Sequence, residues 1–143
     1  MGHWFAHLFQ GRPWWMNAMM LFCFFMTFVY MPWDVFLKPV AEDQEVWFGI
    51  MFTGWAAKLT APAHWFVYGA ASYGFRRMRP WMRLWGAAYI GQVAFGMAVW
   101  SILQLGGLLG LFLGLVSAAP FAALAVVFAN AHEHFSGERQ NLK

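Results

Sequence analysis

The fold class that this sequence predicts is an all-α integral membrane protein, four transmembrane helices in an antiparallel bundle with the N- and C-termini cytoplasmic. Three observations predict it. Hydrophobic residues make up 62% of the chain and charged residues only 10%, which leaves too little polar surface to cover a water-soluble fold. The apolar residues come in runs close to the roughly 20 needed to cross a bilayer as a helix. The basic residues sit beside those runs: four of the nine Lys and Arg fall in "RRMRPWMR". That placement is a membrane-topology pattern, so the net charge of +3 does not point to nucleic acid. At 143 residues the chain is expected to be a single four-span domain, 1–143, without a separate soluble one.

The first span, about 14–31, is "WWMNAMMLFCFFMTFVYM", which follows Arg12 and Pro13 and is closed by Pro32. A basic residue ahead of an apolar run also describes a signal peptide. No small-x-small cleavage site follows promptly, so the run is expected to remain as an anchor. The opening "MGHWFAHLFQG" mixes Trp, Phe and His, which suits a short interfacial helix. The next stretch, to Gly49, carries four of the six acidic residues, Asp34, Glu42, Asp43 and Glu45, and is expected to be wet.

Residues 46–58, "VWFGIMFTGWAAK", are apolar but short and hold two glycines, so an interfacial or re-entrant segment is expected. The second span is about 59–75, bracketed by Lys58 and by Arg76 and Arg77, whose long stems can reach opposite interfaces. An alternative register starts it near Val46 and places Lys58 inside the membrane. The third span is about 84–105 and the fourth about 108–130. Only "QLGG" joins them, which forces an antiparallel helical hairpin. Short loops rich in Arg stay on the cytoplasmic side, so Arg76, Arg77, Arg79 and Arg83 orient the chain and form a basic loop at the membrane surface. Both termini then face the cytoplasm, in a bacterial inner membrane or its equivalent, and the acidic loop faces outward.

"GGLLGLFLGLVSAAPFAALA" places a small residue at every fourth position: Gly106, Gly110, Gly114, Ala118 and Ala122. In lipid, helices gain contact by close backbone approach, which small residues permit. The expected partner is the third span, where Ala87 and Gly91, then Ala94 and Ala98, are also four apart. A second copy or another membrane protein is the alternative. A pore lining does not suit so smooth an apolar face, which offers an ion no polar ring. Pro120 is expected to bend the helix.

The proposed spans contain no Asp, Glu, Lys or Arg, which argues against an ion-coupled transporter. His64, Trp65 and Gln92 form a candidate cofactor-binding set. An imidazole nitrogen of His64 could ligate haem iron or a pigment magnesium with Trp65 on the ring, although no second axial His lies at that depth. The simpler reading bonds His64 to a backbone carbonyl or to the acidic loop, and Gln92 to a neighbouring helix.

His3 and His7, four apart, and His132 and His134 around Glu133 form a candidate metal set for zinc, copper or iron on the cytoplasmic side. Against it, histidine at a helix C-terminus is favoured by the dipole alone. "AEDQE" reads as a solvated turn, or as a docking surface for a basic partner. The arginine loop is expected on anionic headgroups. Cys23, the single cysteine, can form neither an internal disulfide nor a four-ligand zinc site.

The function expected is a non-catalytic subunit or assembly partner of a membrane complex, with a lipid, quinone or pigment held between aromatic helices as one form of it. Its partners would be membrane lipids and a membrane protein or second copy. A membrane enzyme acting on a lipid or isoprenoid through a histidine-bound metal is the first alternative, and a small-solute transporter the second.

Overall fold

The computed structural model describes Phe9 and residues 12–135. In order, it contains helix α1 (Trp14–Phe36), a single 3₁₀ turn (Val40–Glu42), strands β1 (Gln44–Trp47) and β2 (Ile50–Thr53), and helices α2 (Trp55–Arg77), α3 (Trp81–Leu105), α4 (Gly107–Asn130) and α5 (His132–Phe135). Among the described residues, α1, α3 and α4 are long and apolar enough to cross a membrane. Helix α2, with 23 residues, has the length but is the more polar one: Lys58, Thr60, His64, Arg76 and Arg77 all lie on it.

The helices pair in sequence order. Antiparallel α1 and α2 touch from Arg12 against Phe75 at one end to Asp34 against Lys58 at the other. Antiparallel α3 and α4 are turned about by Gly106 and Gly107, both at positive φ (64° and 51°), where a side chain would be strained. The two pairs meet at the arginine-rich end. There Met16, Met20, Phe75, Met82, Phe128 and Phe135 form one buried core, and the Phe128 ring receives Phe75 at 5.4 Å and Trp15 at 5.8 Å. Gly86 makes room for that ring, since a Cβ there would lie 2.5 Å from a Phe128 carbon. The start of α1 and the end of α4 therefore share one end of the molecule.

Helix α1 runs on through Pro32 to Phe36, beyond the boundary expected at Met31. Residues Met26–Tyr30 just ahead are wound as a π turn, so the usual i→i−4 ladder is already interrupted where the proline withholds its N–H. The stretch expected to be interfacial or re-entrant is a β-hairpin, Gln44 opposite Thr53 and Trp47 opposite Ile50, followed directly by α2 from Trp55. This helix contains the expected second span, 59–75, while Val46, near which the alternative register starts it, lies in β1. A four-residue linker is likewise absent between α3 and α4, where only Gly106 is non-helical.

The small-residue stripe of α4 is divided in its use. A Cβ on Gly110 would sit 2.9 Å from the Ser101 carbonyl oxygen, and one on Gly114 2.9 Å from that of Ala98, so these two glycines let the α3 and α4 backbones touch. Gly106 is a turn residue, Ala118 is half-buried and Ala122 is exposed. On α3, Ala87 packs at the rim of the core and Gly91 has nothing within 4 Å of where a Cβ would be. Helix geometry explains the division. Each four-residue step turns about 40° beyond a full circle, so the stripe winds by about 160° from Gly106 to Ala122 and cannot keep facing one straight neighbour.

Candidate functional site beneath the hairpin

The β1–β2 hairpin closes through the two-residue turn Phe48–Gly49, both at positive φ (49° and 83°). Such a turn matches the strand twist and ordinarily carries Asn-Gly, so its sequence signal is weak here: a lone Gly49 between two four-residue strands. Phe95 of α3 lies against Gly49, 3.0 Å from a Cβ placed there. A Cβ on Gly96 would meet the Val46 carbonyl at 3.3 Å, so β1 rests on bare α3 backbone. Gln92 donates from Nε2 to that same Val46 carbonyl at 3.4 Å, and Gln104 donates to Gln44 Oε1 at 3.1 Å.

The root of the hairpin is an ionic quartet. Asp34 and Asp43 are 2% and 1% exposed, so a solvated acidic turn describes Glu42 but not Asp43. Lys38 Nζ bonds Asp43 Oδ1 and lies 3.2 Å from Asp34 Oδ1. Lys58 Nζ bonds the Asp34 carbonyl, donates to the Lys38 carbonyl at 2.9 Å, and is 3.6 Å from Asp43 Oδ2. Two carboxylates and two ammonium groups neutralise one another, which is the condition under which charges tolerate burial. Burial works against the charged form of Lys38, but its bonds to Asp43 and Asp34 outweigh this and hold its pKa above the ordinary lysine value.

Deeper along α2, Glu45 of β1 gathers three donors on one oxygen. His64 Nδ1 lies 3.2 Å from Oε2, Trp47 Nε1 3.1 Å, and Thr60 Oγ1 3.0 Å. A proton on Nδ1 shared with the carboxylate leaves Nε2 of a neutral ring with its lone pair. That nitrogen is covered by protein and makes no hydrogen bond among the described residues. The Trp47 ring lies over the imidazole at 4.2 Å and 31°, and Tyr89 of α3 meets it edge-on at 6.0 Å.

The other sequence-predicted residues are spread out. Trp65 turns away from His64 toward α1, where its indole donates to the Thr27 carbonyl, and Gln92 holds β1. The tryptophan that packs on His64 is Trp47, which spacing along the chain did not indicate. His132 engages the Asn130 carbonyl at 3.1 Å, and Glu133 and His134 share its short helix. His3 and His7 lie outside the described residues. Among the described residues no three His, Cys, Asp or Glu side chains are close enough to hold a metal ion.

At the opposite end, Arg12 caps the Phe75 carbonyl at 2.6 Å and Arg83 the Ala129 carbonyl at 3.0 Å. Arg79 bonds the Tyr73 hydroxyl at 2.9 Å and covers its ring, while Arg76 and Arg77 are exposed. Among the described residues the two ends thus differ in charge: four carboxylates and two lysines at the hairpin end, five arginines and Glu133 at the other. Chemically, the hairpin end offers an imidazole oriented by a carboxylate and an indole; the arginine end offers exposed guanidinium groups. No protein family, no curated protein and no solved structure matches this chain.

Proposed function

We propose that this protein is a non-catalytic subunit or assembly partner of a membrane complex. It crosses the membrane four times, α2 included, with the arginine-rich end in the cytoplasm and the hairpin outside, in a bacterial inner membrane or its equivalent. The observation that carries the subunit reading is the outer face of α4 around its proline, where Ala119, Pro120, Ala122 and Ala123 are exposed. Small side chains there let a second helix approach closely, which is the main source of helix association in lipid. The charge difference between the two ends supports the orientation, because arginine-rich short loops remain cytoplasmic. Arg76, Arg77 and Arg79 fit anionic headgroups at that surface.

Native mass spectrometry of the protein extracted gently from its own membrane tests the reading. A second polypeptide, or a second copy, is expected above the 16.4 kDa chain, and the double substitution Ala119→Leu/Ala122→Leu is expected to release it. A lone chain carrying a stoichiometric metal would replace this reading with the histidine-metal enzyme.

A further inference from the structure

We infer that the groove between α1 and α2 is a lipid site: it holds one acyl chain of an anionic phospholipid whose phosphate is met by Arg76, Arg77 and Arg79. The inference rests on the membrane placement of α2 proposed above, and not on the subunit reading.

The groove has a volume of about 420 Å³ and is lined by Thr27 of α1 and by Pro62, Trp65, Phe66, Gly69 and Ala70 of α2. Gly69 and Ala70 in succession leave the hollow, and a Cβ on Gly69 would only reach ordinary contact with the Thr27 methyl carbon, at 3.9 Å. Phe66 is 77% exposed, so this side of α2 faces outward. The polar groups of the lining are already engaged: the Thr27 hydroxyl donates to the Cys23 carbonyl at 2.7 Å, and the Trp65 indole to the Thr27 carbonyl at 2.8 Å. What remains for an occupant is apolar surface, which suits a hydrocarbon chain and gives a headgroup nothing to bind.

The arginines lie in register with this groove. A helix returns to the same side, within about 20°, after seven and after eleven residues. Tyr73 follows Phe66 by seven, Arg76 follows Gly69 by seven and Arg77 follows Phe66 by eleven, so one side of α2 runs from the groove to two exposed guanidinium groups. Arg79, beyond the helix end, turns back to that side: it bonds the Tyr73 hydroxyl at 2.9 Å and stands over the ring, 5.6 Å from its centroid. Arg12 and Arg83 are engaged elsewhere, by the carbonyls of Phe75 and Ala129. The spacing fits one leaflet. Phe66 to Arg77 is about 16 Å along the axis, against about 15 Å for half of the hydrocarbon core. Three cations in line with an apolar groove match a ligand that joins a net negative headgroup to a hydrocarbon chain, which a free phosphate or a zwitterionic lipid matches only in part.

Photo-crosslinking of the full chain in nanodiscs of equal parts phosphatidylglycerol and phosphatidylcholine, each with a diazirine at the end of one acyl chain, tests the site. Adducts are mapped by peptide mass spectrometry. Phosphatidylglycerol adducts are expected to exceed phosphatidylcholine adducts about fivefold or more at Thr27 and residues 62–70, the factor that one surface arginine carries. At Phe112, on the exposed face of α4, the two should be equal. Arg76→Gln/Arg77→Gln should remove most of the excess, and Arg76→Lys/Arg77→Lys, which keeps the charge, should restore it. Gly69→Leu fills the groove and should remove the excess by a separate route, so the test stands if either variant fails to fold. An equal ratio in the unaltered protein, or an excess that survives in a folded Gln or Leu variant, overturns the site and leaves α2 in the membrane. Adducts missing from 62–70 but present elsewhere on α2 mean that a polypeptide covers the groove, which also overturns it. Adducts at Phe112 with none anywhere on α2 overturn the site and the membrane placement of α2 together.

Discussion

The indole N–H of Trp65 donates to the backbone carbonyl of Thr27 at 2.8 Å, joining α2 to the one turn of α1 that is wound as a π-helix. A π turn shifts carbonyls away from their α-helical donors, and an unpartnered carbonyl in lipid is costly. Trp65 therefore does two things at once, fastening two helices and satisfying a local irregularity. Trp65→Phe keeps the ring and loses the donor. It is expected to lower stability by about 1–2 kcal/mol and to raise amide exchange around residues 26–31. Unchanged thermal unfolding in detergent would show that the bond contributes nothing.

The quartet of Asp34, Lys38, Asp43 and Lys58 predicts a strong asymmetry between single and paired substitutions. Lys58→Met leaves Asp43 short of a partner in a buried setting and is expected to cost about 3–5 kcal/mol. Lys58→Met/Asp43→Asn, which removes one charge of each sign, should recover part of that loss in the same unfolding assay.

Lys38 also sets an alkaline limit. Because its pKa is raised on folding, its contribution is complete below the ordinary value of 10.5 and is lost as the pH rises through the raised one. Hairpin protection measured from pH 9 upward should therefore hold until the pH passes 10.5 and fall above it.

The glycines of α3 and α4 should respond to the same substitution in opposite ways. Gly110→Ala drives a Cβ to 2.9 Å from the Ser101 carbonyl oxygen, a backbone atom that cannot turn aside, and should destabilise by about 1–3 kcal/mol. Gly91→Ala adds a methyl where nothing lies within 4 Å, and should be neutral or stabilise by about 0.5–1 kcal/mol through helix propensity. Thermal unfolding of the two variants side by side checks the direction of each.

Phe48 is 75% exposed and sits at positive φ in the hairpin turn. Phe48→Asn supplies a residue suited to that conformation and should stabilise the hairpin by about 1 kcal/mol. Amide protection of residues 44–53 at fixed pH reads the gain directly. A loss instead would mean that the exposed ring makes contacts worth more than the strain it carries.

By itself the sequence determined what is written in one dimension: a mostly helical chain, apolar runs of spanning length in α1, α3 and α4, and a glycine turn between the last two, whereas the fourth expected span, 59–75, lies in a helix that is long enough but not among the three apolar enough to cross. Run length and composition suffice for these, because a stretch of about 20 apolar residues has few stable alternatives to a helix in lipid. The tertiary structure decided the rest. The hairpin escaped notice because its turn carries Phe-Gly, and Asp43 reads as solvated until Lys38 and Lys58 are seen to close on it. Trp47, not the adjacent Trp65, covers His64, since neighbours along a helix point about 100° apart while a strand laid across it can bring its own ring to the face. A small residue at every fourth position was plain along α4, yet which of them meets α3 depends on how far the helix has rotated by then. Rotation about the axis and contact across the chain leave no mark on local composition.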